Sequence, residues 1–287
     1  MKPKALILQA HGSNRDLDVM NALTLAGADA TGIPLNELRN RKSLLSGFQL
    51  LVVPGGFSYA DALGAGKLLA LDLASYFEEE ISTFVESGKP VIGICNGFQA
   101  LVKSGILPGN HVIARRALSP TKQSPVERDI SGQVEIAALP TEERVARNDM
   151  SATLTFNNQG HFECRWVNLK PVSQKCIWTK NLNEDITCPI AHGEGNFQTN
   201  ELFPVSSFTE QDQIALAYTH PNGSPANGEY PINPNGSTLD IAGICNPQGN
   251  VLGLMPHPEN HIHSWQHPRH TRGETGGSGL KLFENGV

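Results

Sequence analysis

The sequence predicts an α/β fold: a mostly parallel sheet with helices on both faces, and extra strands and hairpins in the second half. Two observations carry this. Over residues 1–110, short runs apolar at every position alternate with helical patterns, and such runs mark strands covered on both faces. After residue 150 the strand-like runs follow one another with little helix between them. No stretch has the composition of a linker, so the 287 residues are expected to form one domain spanning 1–287.

Ala5 to Leu8 reads as the first buried strand. Asn14 or Asp16 can cap the helix that follows, with Leu17, Met20, Leu23 and Leu25 as its apolar face and Gly27 as its stop. Leu50 to Val53 is the second strand, ended by Pro54-Gly55-Gly56. Helical stretches from about Asp61 to Ala74 and from Tyr76 to Glu86 come next, broken by Gly88-Lys89-Pro90. Val91 to Ile94 is the third buried strand, and Asn96 to Lys103 a helix stopped at Gly105. In the second half, Leu154–Phe156, Cys164–Leu169, Ile186–Ala191, Ile214–Tyr218, Leu239–Cys245 and Val251–Met255 read as strands. The last two are joined by the turn residues 246–250. Residues 220–237, rich in Pro and Gly, read as a surface loop, and a final helix is expected near Ser278 to Phe283.

Composition excludes several classes of function. A net charge of −6 argues against a sequence-independent nucleic-acid binder. No apolar run reaches membrane-spanning length, and the N-terminus shows no signal-peptide pattern, so a cytoplasmic protein is expected. Five Cys are too few and too scattered for a disulfide scaffold or a zinc site.

One cysteine has a context. Gly93-Ile94-Cys95-Asn96-Gly97 follows a buried strand and opens a helix, the arrangement of a nucleophile elbow with Cys in the place of Ser. At this chain's Cys and Gly frequencies, about 0.05 such patterns would arise by chance. The flanking glycines are expected to let the chain turn sharply, and the helix N-terminus behind Cys95 favours a thiolate. Cys164, Cys176, Cys188 and Cys245 lack that setting and read as core.

A thiolate nucleophile needs an acid/base, and that residue needs an orienter. His257-Pro258-Glu259, just past a strand end, offers both: in an extended turn, side chains two apart point the same way. Acyl transfer also needs oxyanion donors. The N–H of Asn96, next to the nucleophile, is one candidate, and the turn Pro54-Gly55-Gly56-Phe57 exposes others.

These segments resemble the triad, or class I, glutamine amidotransferases. Five stretches narrow the resemblance to the glutaminase subunits of phosphoribosylformylglycinamidine synthase. They are Pro54 to Tyr59, Cys95-Asn96-Gly97-Phe98-Gln99, Pro189 to Phe197, Asp240 to Ile244 and Gly249 to Glu259. The similarity runs through the chain in order except around 120–150 and 220–235. It implies a flavodoxin-like, doubly wound sheet. It also implies Cys95 as nucleophile, His257 as acid/base, Glu259 as orienter, Gly56 and Asn96 N–H groups for the oxyanion, and Gln99 toward the substrate glutamine. His192 and Gly193, with Glu194, fall in a motif near that pocket. The implied partner is a synthetase subunit, with or without a small third subunit. The implied reaction turns formylglycinamide ribonucleotide into its amidine in purine biosynthesis.

No Walker-type loop is present, so ATP and magnesium are expected on the partner, with no cofactor in this chain. The family usually has Arg after His-Pro-Glu; here it is Asn260. The same Cys–His–Glu set also suits a free-standing γ-glutamyl hydrolase or peptidase, or a binding module that has kept the residues. His257, His261, His263, His267 and His270 crowd into fourteen residues, yet no Cys or second carboxylate completes a ligand set, and a solvated loop without metal is expected.

Overall fold

The protein is described here by a computed structural model, for residues 2–109, 152–200 and 204–287; the stretch 120–150 lies outside the described residues. In chain order its first half holds β1 (Lys4–Gln9), α1 (Asp16–Leu25), β2 (Asp29–Pro34), α2 (Leu35–Asn40), β3 (Leu50–Val53), α3 (Lys67–Tyr76), α4 (Glu78–Glu86), β4 (Val91–Ile94) and α5 (Asn96–Lys103). The second half holds β5 (Ala152–Thr155), β6 (Glu163–Pro171), β7 (Ile186–His192), β8 (Asn196–Thr199), α6 (Val205–Glu210), β9 (Ile214–Thr219), β10 (Ile241–Cys245), β11 (Val251–Leu254) and α7 (Leu280–Gly286).

Among the described residues, nine strands form one sheet in the order β2-β1-β3-β4-β11-β10-β9-β6-β7, and β5 pairs with β8 apart from it. The pairings from β2 through β11 are parallel. Those from β11 through β7 are antiparallel, which is where the extra strands of the second half go. Each residue of β3, β4 and β11 is buried. Strands covered on both faces leave no room for polar side chains, which explains their uniform apolarity.

Three expectations need correction. Helix α1 buries Val19, Ala22 and Leu23, while Leu17 and Leu25 face solvent. Its capping position is Arg15, just before Asp16, and no side chain caps it. The loop 220–237 does not lie on the surface throughout: Ala226, Asn233, Asn235 and Ser237 are buried. Asp240 ties the loop down, its carboxylate accepting from Asn227 N–H at 2.7 Å, Gly228 N–H at 2.8 Å and Asn233 Nδ2 at 2.8 Å. Finally, Cys164 is exposed rather than core, whereas Cys176, Cys188 and Cys245 are buried; all five thiols are free.

Candidate active site

The site forms at the carboxyl ends of the adjacent parallel strands β3, β4 and β11. β4 ends at Ile94 and α5 starts at Asn96, so Cys95 alone makes the turn. Its φ of 50° and ψ of −107° place a non-glycine residue where L side chains are strained. Cys95 N–H donates to Leu254 O at 2.7 Å, and Cys95 O accepts from Gln99 N–H at 3.0 Å, so the strained residue is held on both sides.

The flanking glycines do a different job from the one the sequence suggested. Neither has a positive φ. A Cβ on Gly97 would stand 1.9 Å from Val53 O, and one on Gly93 would stand 2.4 Å from Leu101 Cδ1. Their bareness lets α5 lie directly on the strands. The turn itself is Cys95's burden.

β11 pairs with β4 so that Gly253 faces Gly93 and Leu254 faces Ile94. The chain leaving β11 therefore delivers His257 beside Cys95. His257 N–H donates to Pro189 O of β7 at 2.8 Å. Its Nδ1 lies 2.7 Å from Glu259 Oε1, and the two side chains are 3% and 0% exposed. The Cys95 sulfur lies close enough to act on the ring's charge, and its thiol donates to Ala191 O at 3.7 Å. Burial opposes charge on this imidazole, but the Glu259 carboxylate and the Cys95 sulfur outweigh it and push His257 up to about 10. His257 is therefore charged at neutral pH and holds a proton facing the sulfur. Gly55 abuts it: a Cβ there would stand 2.9 Å from His257 Cε1.

A cavity of about 170 Å³ opens over Cys95, lined by Gly56, Gln99, His192, Gly193 and two carboxylates, Asp61 and Glu194. That is below the roughly 300–1,000 Å³ of drug-sized sites and suits a small substrate. Gly56, at φ +130°, holds a conformation that a side chain would strain. Asn96 keeps its side chain out of the cavity lining. Its Oδ1 accepts from Ser58 N–H at 3.1 Å, and its Nδ2 donates to Asp61 Oδ1 at 2.8 Å and Gln99 Oε1 at 3.1 Å. Gln99 in turn donates to Glu194 O at 2.6 Å, so its amide is occupied in bracing the wall. Burial raises Asp61 above the usual carboxylate range, against the pull of its Gly66 and Asn96 hydrogen bonds. Glu194 pairs with Lys103 at 3.4 Å.

Asn260 donates to Asp18 Oδ2 at 3.0 Å, and Asp18 also pairs with Arg15 at 3.2 Å, which fastens the His-Pro-Glu turn to α1. Of the later histidines, His261 and His267 lie together, ring centroids 5.7 Å apart and both edge-on to Trp166, while His263 sits elsewhere. His261 is buried, its Nδ1 on Thr187 O, and its ring meets Trp166 edge-on; His263 stacks on Trp265. Among the described residues, no three His, Cys, Asp or Glu side chains gather as a ligand set.

Sequence reasoning missed Asp61, Phe57, Phe156 and Phe162, which line the cavity, and Asn157 behind it. Asp61 and Asn157 carry no local pattern. Phe57 and Phe156 entered only as members of a turn and a strand run, and all three phenylalanines stand exposed at the rim.

The family model for a CobB/CobQ-like glutamine amidotransferase domain matches residues 2–125 and 133–287. A phosphoribosylformylglycinamidine synthase subunit PurQ from Treponema denticola is 52% identical over 91% of this chain and 89% of its own length. Its counterpart from Dehalococcoides mccartyi is 39% identical over 100% of this chain and 97% of its own. The solved structure of PurLQS from Thermotoga maritima superposes with a TM-score of 0.65 at 27% identity, over 99% of this chain and 97% of that one. The chain thus belongs to the CobB/CobQ-like glutamine amidotransferases and, within them, to the PurQ subunits of phosphoribosylformylglycinamidine synthase.

Proposed function

We propose that this chain is the glutaminase of a phosphoribosylformylglycinamidine synthase. It releases ammonia from glutamine through a thioester on Cys95, as one domain over residues 1–287. The observation that carries this is the buried Cys95–His257–Glu259 chain at the floor of a small cavity.

The Cys95 sulfur attacks the glutamine carboxamide carbon. The C–N bond then breaks as the proton on His257 passes to the departing nitrogen. Ammonia leaves, and a γ-glutamyl thioester remains. Water, activated by the now neutral His257, hydrolyses that thioester to glutamate and restores the pair. Glu259 keeps His257 oriented throughout. The N–H groups of Gly56 and Asn96 receive the oxyanion, and Gln99, His192 and Gly193 shape the substrate pocket. The Asp61 and Glu194 carboxylates supply negative charge for the substrate ammonium.

Ammonia passes to a synthetase subunit, which supplies the ATP and magnesium chemistry that converts formylglycinamide ribonucleotide to the amidine. The complex works in the cytoplasm, and among the described residues no helix is long and apolar enough to cross a membrane. Replacing Cys95 with Ala should abolish glutamine-dependent synthesis by the complex and spare synthesis driven by added ammonia. Amidine formation is followed with each nitrogen source, and glutamine turnover by the variant would overturn the assignment.

A further inference from the structure

His192 stands in the cavity wall with one ring nitrogen accounted for and the other bare. The Asn157 side chain, itself buried, settles which is which. Asn157 Nδ2 donates to two backbone carbonyls, His161 O at 3.0 Å and His192 O at 2.9 Å. That fixes the amide, so Asn157 Oδ1 is the acceptor. It takes Gly195 N–H at 3.0 Å and sits 3.2 Å from His192 Nδ1. An acceptor there requires the proton on Nδ1. Nε2, across the ring, is then a lone-pair acceptor, and it is buried with no hydrogen-bond partner. A buried acceptor left unmatched is costly and calls for a donor.

We propose that Asn157 locks His192 in the Nδ1–H tautomer so that its Nε2 accepts an N–H from the substrate carboxamide, making His192 the reader of amide against acid. This rests on the glutaminase reading above. Glutamine brings an NH2 to the cavity over Cys95, whereas glutamate, the product, brings only lone pairs. Nε2 is closed to solvent beside the cavity, so the carboxamide must displace its cover to reach it; once there, the acid is repelled and the amide held. Burial, and then the positive charge on His257, push His192 down to about 3, so it does not escape the clash by picking up a proton. Gly195 is part of the device: a Cβ there would lie 2.4 Å from His192 Nδ1, so only glycine lets the ring lie flat on this turn. Asn157 acts as a positioning residue, through His192.

Two measurements test this on the full chain. In the reconstituted complex carrying a 15N-histidine-labelled Cys95→Ala subunit, where thioester formation is blocked, long-range 1H–15N spectra should show His192 protonated at Nδ1. The Nε2 resonance should move on adding glutamine and stay in place with glutamate. Protonation at Nε2, or the same response to both ligands, overturns the proposal. In the reconstituted complex, His192→Phe keeps a flat ring and removes the acceptor. The ratio of glutamate Ki to glutamine KM should fall about ten- to a hundred-fold. An unchanged ratio in a folded variant overturns the proposal as well. Glutamine hydrolysis by the wild-type complex, measured alongside, tests the parent reading separately: its absence sinks the glutaminase, and its presence with an unchanged ratio sinks only the role of His192.

Discussion

At the scale of single residues, two buried histidines, one on the cavity wall with Cys95 and one paired with Glu259, are driven in opposite directions. Burial acts on both against charge. At His192 it prevails, reinforced by the charge on His257, whereas at His257 the neighbouring carboxylate and sulfur overcome it. The stability consequences carry opposite signs. An unfolded histidine titrates near ~6.5. Below that pH the unfolded chain takes a proton at position 192 that the folded chain refuses, so stability falls by about 1.4 kcal/mol per pH unit until about 3. The His257 contribution is fully present below ~6.5 and is lost as pH rises toward about 10. Chemical denaturation of the wild type and of His192→Phe across pH 4–8 should therefore differ in slope on the acid side, with the variant flatter. Parallel acid limbs would contradict the refusal of that proton.

Glu259 presents the companion case. Among the described residues its carboxylate hydrogen-bonds only the imidazole, so Glu259→Gln should lower kcat by about 10²–10⁴-fold, change glutamine KM much less, and cost less than His257→Ala. An unchanged rate at saturating glutamine would remove Glu259 from the triad.

At the scale of elements, what could be read in advance followed from how local each signal is. β3, β4 and α5 match their expected ranges because burial on both faces, or a helix with Gly105 behind it, writes itself into adjacent residues. β2 was invisible: it is an edge strand in which Ile33 alone is buried, so no apolar run marks it. The expected face of α1 holds at Leu23 and Met20 but not at Leu17 and Leu25, because Val19 and the small Ala22 share the docked side and turn it away from them. The loop 220–237 reads as surface because it is rich in Pro and Gly and lies between strands. Its burial depends on hydrogen bonds to partners far along the chain, such as Asn235 Nδ2 to Gly195 O at 2.8 Å. Cys95, His257 and Glu259, the proposed triad, could be picked out because each lies in a short motif at a strand end. Asn157 could not, because its role exists only through the segment it clamps.

Two glycines separate packing from chemistry at this scale. Gly97→Ala forces α5 off β3 and should cost about 1–3 kcal/mol of stability, as overpacking does. Gly55→Ala presses on the His257 ring, so its effect should fall on kcat with the melting temperature nearly unchanged. Melting curves and glutaminase rates for both variants check the contrast, and a large melting shift in Gly55→Ala would show the contact to be structural.

At the scale of the whole molecule, the site is shallow, and Phe57, Phe156 and Phe162 stand exposed where they line it. This chain carries an acyl-transfer set without a nucleotide-phosphate motif, so free hydrolysis would waste glutamine. A peptide turned at Gly55–Gly56 removes one oxyanion donor, which costs about 10²–10³ in kcat. The subunit alone should therefore turn over glutamine slower than the complex by that order, with full rate returning when the synthetase is added with its nucleotides. Steady-state glutaminase rates in the two states check this; equal rates would favour the free-standing hydrolase.

The pairing of β4 with β11 has a consequence for the life of the chain before it is finished. The thiol belongs to the fourth strand of the sheet to be synthesised, and its acid and orienter follow the last. While a ribosome is still translating the 155 or so codons between α5 and His257, the nascent chain carries a cysteine with no proton donor beside it. Glutamine, abundant in the surrounding solution, meets no working hydrolase until the final strand has slid into register. The pairing of Cys95 with its acid thus waits on the closing of β11 onto β4.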